Sequence, residues 1–307
     1  MGPSARGEGF DVHFDAWVAV AGLFVGFTVG LTGMGGGALM TPILVLIFKV
    51  DPLTAVSSDL VASLVMKPVG AGVHLRRSAI NMRLVLWLCI GSVPTAFCGV
   101  LLLKSFGNGE DLQNRIKLLL GVALMVAAVS ILAKGLVAGR RASADVAKDA
   151  KDIEVKVLPT LLIGALGGLI VGMTSVGSGS LMIVLLLFLY PRLSAGQLVG
   201  TDLVQAIPLV ASAAFGHVLF GDFKLDLTTS LLVGALPGVY VGARVSVKAS
   251  DHLIRPALLF VLTASALKLL GLSAVALGWT MGTIAIVAGT VFALRSRRHH
   301  HPIDATT

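Results

Sequence analysis

Gly30-Leu-Thr-Gly-Met-Gly-Gly-Gly-Ala-Leu-Met40 returns later in the chain as Gly172-Met-Thr-Ser-Val-Gly-Ser-Gly-Ser-Leu-Met182. Each copy sits between two apolar runs, and a run such as Gly33-Met-Gly-Gly-Gly37 weakens any helix that contains it. In hydrocarbon, backbone groups released by such a break must face protein, water or a ligand. Two matched breaks therefore predict helices that stop and restart around a polar site.

The match extends outward from these stretches. Gly30 and Gly172 are 142 positions apart and Asp59 and Asp202 are 143 apart, so one residue is inserted between them. Ser58-Asp59-Leu60-Val61 answers Thr201-Asp202-Leu203-Val204, His74 answers His217, and Gly91, Pro94 and Gly99 answer Gly234, Pro237 and Gly242. Unrelated apolar helices would not keep Asp, His and Pro in step, so the pattern predicts an internal duplication.

Composition sets the class. Of 307 residues, 56% are hydrophobic and 13% charged, with a mean hydropathy of +0.93, more apolar than a soluble core requires. The apolar runs are continuous rather than alternating, which predicts an all-α integral membrane protein and not a transmembrane barrel. The net charge of +8 lies in short loops and at the C-terminus, where membrane orientation accounts for it, so no nucleic-acid partner is expected. Cys89 and Cys98 share one predicted span and are expected to be unpaired core residues.

In chain order, a polar tail (1–15) without signal-peptide features precedes a first repeat (16–134) with apolar segments at about 16–33, 37–49, 55–74, 82–103 and 115–134. A charged linker (135–157) leads to a second repeat (158–272), with segments at about 158–174, 179–190, 197–219, 227–247 and 254–271. One further helix (273–296) and a basic, polar tail (297–307) follow. Arg76, Arg77 and Arg83 mark one loop as cytoplasmic, as do Lys134, Arg140, Arg141, Lys148, Lys151 and Lys156 at and within the linker and Arg295, Arg297 and Arg298 near the end. The turn around Gly221–Asp226 is poor in basic residues. An odd number of crossings per half satisfies all four, placing the N-terminus outside and relating the halves as inverted repeats. The short Gly-flanked segments either cross the membrane or re-enter it.

Candidate site residues follow from the breaks. Restarting helices aim amide groups inward, and with Thr32, Gly33, Gly35, Gly36, Gly37, Thr174, Ser175, Gly177, Ser178, Gly179 and Ser180 they offer donors suited to an anion. The bland alternative is close helix packing through small residues. Asp59, Lys67 and Asp202 lie in apolar spans, where charge is costly and marks a cavity or a partner. The aspartates read equally as N-terminal caps or as coupling groups, whereas Lys67, answered only by Val210, reads as a cation on an anion's path. His74 and His217 are candidates for proton coupling or plain interfacial hydrogen bonding, and Pro94 and Pro237 for paired hinges. Val176-Gly-Ser-Gly-Ser180 is not a nucleophile elbow, and no metal-ligand cluster, phosphate loop or nucleotide fold is legible, so neither an enzyme nor a cofactor is expected. The His299-His300-His301 run in the tail is weak evidence for metal.

These residues resemble a known family. Gly30-Leu-Thr-Gly-Met-Gly-Gly-Gly with Pro42, Ser58-Asp59, Lys67, Gly70, His74-Leu-Arg-Arg and Gly91-Ser-Val-Pro94 look like the TauE/SafE sulfite exporters. Gly172-Met-Thr-Ser-Val-Gly-Ser-Gly, Val199-Gly-Thr-Asp202, Gly216-His217 and Gly234-Ala-Leu-Pro-Gly238 resemble the family's second repeat, and the likeness runs from about 17 to 271. It implies a multi-pass transporter of the prokaryotic cell (cytoplasmic or inner) membrane, moving sulfite or organosulfur anions; no ATP-binding segment is legible, so an ion gradient or the anion's own gradient is expected to drive it. Its partners would be the lipid bilayer, a small anion and a coupling ion, H+ or Na+. The alternatives are another small anion such as a carboxylate, a membrane-embedded enzyme, or a structural subunit.

Overall fold

A computed structural model describes residues 14–32, 36–74, 80–107, 109–140, 153–245 and 251–283. Among the described residues, α-helices form in two successive runs of five: α1 (Ala16–Thr32), α2 (Met40–Leu46), α3 (Pro52–His74), α4 (Met82–Ser105) and α5 (Glu110–Arg140), then α6 (Val157–Thr174), α7 (Leu181–Leu189), α8 (Ala195–Phe220), α9 (Leu225–Val245) and α10 (Asp251–Leu269). Among the described residues there is no strand, and five helices are long and apolar enough to cross a bilayer. The protein is an all-helical integral membrane protein. Residues 274–283 are also helical; the rest of the expected last span, and the His299–His301 run, lie outside the described residues.

Local chemistry starts the helices where they begin. Pro52 opens α3 at the first helical position, where its missing N–H costs nothing. The Asn81 side chain caps α4 by accepting from the backbone N–H groups of Arg83 and Leu84, both at 3.1 Å. Ser194 and Gln197 form a reciprocal capping box at α8. Helices α2 and α7 have seven and nine residues, and at ~1.5 Å per residue neither spans a bilayer. Helix α5 runs on to Arg140, into what composition suggested was linker.

Glycine faces bring the helices together. Gly22, Gly26 and Gly30 of α1 face Leu231, Ala235 and Val239 of α9, while Gly234, Gly238 and Gly242 of α9 face Ala19, Leu23 and Phe27 of α1. A β-carbon at Gly234 would stand 1.7 Å from the Ala19 carbonyl oxygen, so only glycine permits this approach. The same contact recurs between α6 and α4. Gly164, Gly168 and Gly172 press on Leu88, Ser92 and Ala96, and Gly91 presses on Leu161. Gly30, Gly172, Gly91 and Gly234 thus serve close packing.

The helix directions follow from these contacts. Helix α1 runs parallel to α9, and α6 parallel to α4. Helix α3 begins where α8 ends, with Ser57 on His217 and Thr54 on Asp222, so the two run antiparallel. One end of the bundle gathers Asp15, Lys49, Asp51, Lys224 and Asp226; a second cluster, Ile80–Arg83 with Ile153–Val155, lies where α4 and α6 begin. Trp17, Phe24, Phe188 and Phe215 lie exposed on the outside, as a lipid-facing surface requires. Cys89 and Cys98 are both free, and Cys98 is exposed rather than in the core.

Candidate functional site

The second break gathers polar groups in the interior. Helix α6 ends at Thr174, and Ser175 follows in the left-handed region (φ 60°), a position glycine usually takes because a side chain there costs about 1 kcal/mol. Gly177 and Gly179 continue with φ of 120° and 100°, which only glycine adopts readily. Helix α7 then starts after Ser180, whose hydroxyl makes no cap bond and, though buried, has no hydrogen-bond partner. An unpaired buried hydroxyl costs about 1–3 kcal/mol.

Helix α3 brings charge to this break. Asp59 is fully buried, and its carboxylate accepts from Ser175 Oγ at 2.6 Å, Thr41 Oγ1 at 2.8 Å and Ser63 Oγ at 3.4 Å. Lys67, also buried, donates from Nζ to Ser178 Oγ at 3.0 Å, and both Asp59 and Asp202 act on its charge through space. In the first break, Gly36 faces Ser63 Oγ and Asp59 Oδ1, and Gly37 packs so tightly on Ser175 that a β-carbon there would meet its carbonyl oxygen at 1.9 Å. The two breaks touch each other, and Asp59 and Lys67 each bond to the second.

Asp202 lies in a different setting. It accepts from Gln205 Nε2 at 3.2 Å, and Gln205 Oε1 in turn accepts from Ser92 Oγ at 3.3 Å. Both aspartates sit well inside their helices, seven residues beyond the first residues Pro52 and Ala195, so the capping alternative does not hold.

The remaining candidates divide. Thr174 bonds back to the Ile170 carbonyl at 2.6 Å and also accepts from the Val176 N–H in the break at 3.2 Å, while Thr32 bonds back to the Thr28 carbonyl at 2.8 Å. His217 is fully buried, not interfacial. Its Nε2–H donates to the Gly172 carbonyl and its Nδ1 faces Ser57 Oγ, each at 2.8 Å, joining α8 to α6 and α3. His74 ends α3, but its side chain, like Gly33 and Gly35, lies outside the described residues. Pro94 and Pro237 lie inside α4 and α9 on their outer faces. Sequence reasoning missed Thr41, Ser63, Ser57 and Gln205. Ser63 was readable, four residues after Asp59 on one helix face.

The bundle is broken by glycines and holds a buried lysine among buried hydroxyls. The family profile described as Sulfite exporter TauE/SafE matches residues 18–269. The chain belongs to this family. It is 37% identical over 254 residues to a Bacillus subtilis (strain 168) protein named probable membrane transporter protein YjnA, covering 82% of this chain and 98% of that one. A second protein of that strain, probable membrane transporter protein YdhB, is 25% identical over 224 residues, 72% of this chain and 85% of the relative. No solved structure matches. The TauE/SafE chain is thus a multi-pass membrane transporter.

Proposed function

We propose that this protein is a secondary transporter of small oxyanions, sulfite or an organosulfur anion, in the cytoplasmic membrane. The observation that carries the reading is the buried Lys67 Nζ at 3.0 Å from Ser178 Oγ, at a helix break whose Ser180 hydroxyl is unpaired. The Ser178 oxygen stands where an oxyanion oxygen would stand, and an incoming anion would take over the ammonium while Ser178 and Ser180 donate to it. The amide end of α7 adds favourable partial charge. Asp59 and Asp202 couple or gate, with H+ or Na+ as the driving ion.

Alternating access would use two halves, 16–134 and 158–272, related as inverted repeats. The reciprocal contacts of α1 with α9 and α6 with α4, and the opposed α3 and α8, support this, as does the parting of the Arg83 end from the Asp15 end. Pro94 and Pro237 would supply the flexible points. The basic loop at Arg76–Arg83 and the linker then face the cytoplasm.

The test is uptake of radiolabelled sulfite into proteoliposomes, wild type beside Lys67→Ala, with sulfate, sulfoacetate and acetate as competitors. Saturable uptake, competed by sulfoacetate and lost in folded Lys67→Ala, is the expected result. Competition by acetate alone would make the substrate a carboxylate, and no uptake of any oxyanion would end the reading. A second reading, a membrane-embedded hydrolase, draws on the same contact, because a serine and a lysine 3.0 Å apart form a nucleophile–base pair. It requires Ser178→Ala to abolish turnover of a peptide or lipid, whereas the transport reading leaves that variant with weakened flux.

A further inference from the structure

We infer that Asp59, with the hydroxyl oxygens of Thr41, Ser63 and Ser175, binds one sodium ion that travels with the anion. The inference rests on the anion-transport reading and deepens it by naming the ion and its seat.

Charge balance is the first argument. Among the described residues the buried charged side chains are Asp59, Asp202 and Lys67, two negative and one positive, with His217 counted as the neutral ring that its two contacts satisfy. The site therefore starts at −1. An anion added alone would double that charge in a poorly screened interior, whereas a univalent cation entering with a monoanion leaves it unchanged.

Geometry says where the cation sits. Each of the three hydroxyls gives its single hydrogen to Asp59, which leaves their lone pairs for a second partner. The C-terminal end of α6 adds partial negative charge there, and the Ser175 carbonyl oxygen is held against Gly37. Carboxylate, hydroxyl and carbonyl oxygens together suit a hard cation. A proton would need the carboxylate alone and would leave unexplained why a serine, not glycine, occupies the left-handed position after α6. The positions answering Ser175, Thr41 and Ser63 around Asp202 are Gly33, Ile183 and Ala206, which carry no hydroxyl. The hydroxyl set around Asp59 is thus not repeated at the answering positions.

Two measurements on the full-length protein test this. Thermal unfolding in detergent, with NaCl replaced stepwise by choline chloride at constant ionic strength, should show saturable stabilisation by Na+. Ser175→Ala should raise the half-saturating Na+ concentration about tenfold, the loss of about 1.4 kcal/mol of binding. Ser63→Ala should shift it the same way and stands in if the first variant fails to fold. In proteoliposomes a sulfite gradient should drive radiolabelled sodium inward. Stability indifferent to Na+, or sulfite flux that responds to a pH gradient and equally well to choline or Na+, would overturn the inference. Absence of any sulfite flux would strike the transport reading instead, and the Na+ dependence of unfolding would still decide the seat.

Discussion

Asp59 and Asp202 hold the same place in the two halves, yet one carboxylate is wrapped by three hydroxyls and the other is met by an amide. The backbone around them is far more alike. The glycine faces that join α1 to α9 recur between α6 and α4, at corresponding positions and in the same direction. What sets helix distance is alike in the two runs of helices, and what sets chemistry differs. Of the three buried charges the first half contributes two, Asp59 and Lys67, where the second has Asp202 and Val210. The second break contributes the hydroxyls, Ser175, Ser178 and Ser180, where the first has Gly33, Gly36 and Ala38. The site is therefore shared between the halves and complete in neither.

The largest effects should appear where the halves are alike. Gly234→Ala and Gly91→Ala each drive a methyl group into a backbone carbonyl, at 1.7 Å from Ala19 and 2.3 Å from Leu161, and the helices must part to admit it. Each should cost about 3 kcal/mol or more and show as a large fall in the detergent melting temperature. Gly278→Ala, with nothing within 4 Å, should melt like wild type. If Gly234→Ala melts normally while Gly91→Ala does not, the two contacts are not equivalent and the comparison breaks.

The next effects should appear where the halves differ. Asp59→Asn removes the carboxylate that the hydroxyls converge on, and sulfite flux should fall about a hundredfold, the scale of losing one partner of a buried charged hydrogen bond. Asp202→Asn should act in another way. It brings the buried charge from −1 to zero, so an anion would enter without a cation, and flux should persist with its Na+ stimulation reduced. Equal losses in both variants would mean that the two aspartates form one functional unit. Thr41→Val, of similar shape, removes one hydroxyl at 2.8 Å from Asp59 and should lower Na+-driven flux about tenfold, whereas Ile183→Thr at the answering position should change it little.

Much of this was legible because membrane helices announce themselves by length and because glycine breaks are visible in one dimension. Each of the ten segments expected between residues 16 and 271 became a helix with its ends shifted by a few residues, apart from α5, whose helix continues through Arg140. The role of each glycine was not legible. Gly30 and Gly37 belong to one run, but Gly30 continues a face begun by Gly22 and Gly26, while Gly37 seats the other break. The partners of the buried charges were hidden for a different reason. Ser175 reaches Asp59 across 116 residues and Ser178 reaches Lys67 across 111, and a residue that acts only through tertiary contact leaves no periodic trace. The capping alternative for Asp59 failed because Pro52, not Ser58, starts the helix.

The smallest expected effect concerns the end of the bundle where α3 begins and α8 ends. Ser57 is answered in the second half by Gly200, so the hydroxyl that meets His217 has no counterpart there. Through its other nitrogen His217 holds the Gly172 carbonyl, and the ring thereby ties α3 to the helix that leads into the break. Opening this end requires the tie to part. Ser57→Gly removes one buried hydrogen bond worth about 1 kcal/mol, which lowers the melting temperature by a few degrees and favours an open form about fivefold. A cysteine at the fully buried neighbouring position, Val56→Cys, in protein whose Cys89 and Cys98 are changed to serine, reports that opening through its rate of labelling by a maleimide. A rise of about fivefold when Ser57→Gly is added makes this bond a latch that one half has and the other lacks. An unchanged rate makes it ordinary packing, and the difference between the halves then lies wholly in the surroundings of Asp59 and Lys67.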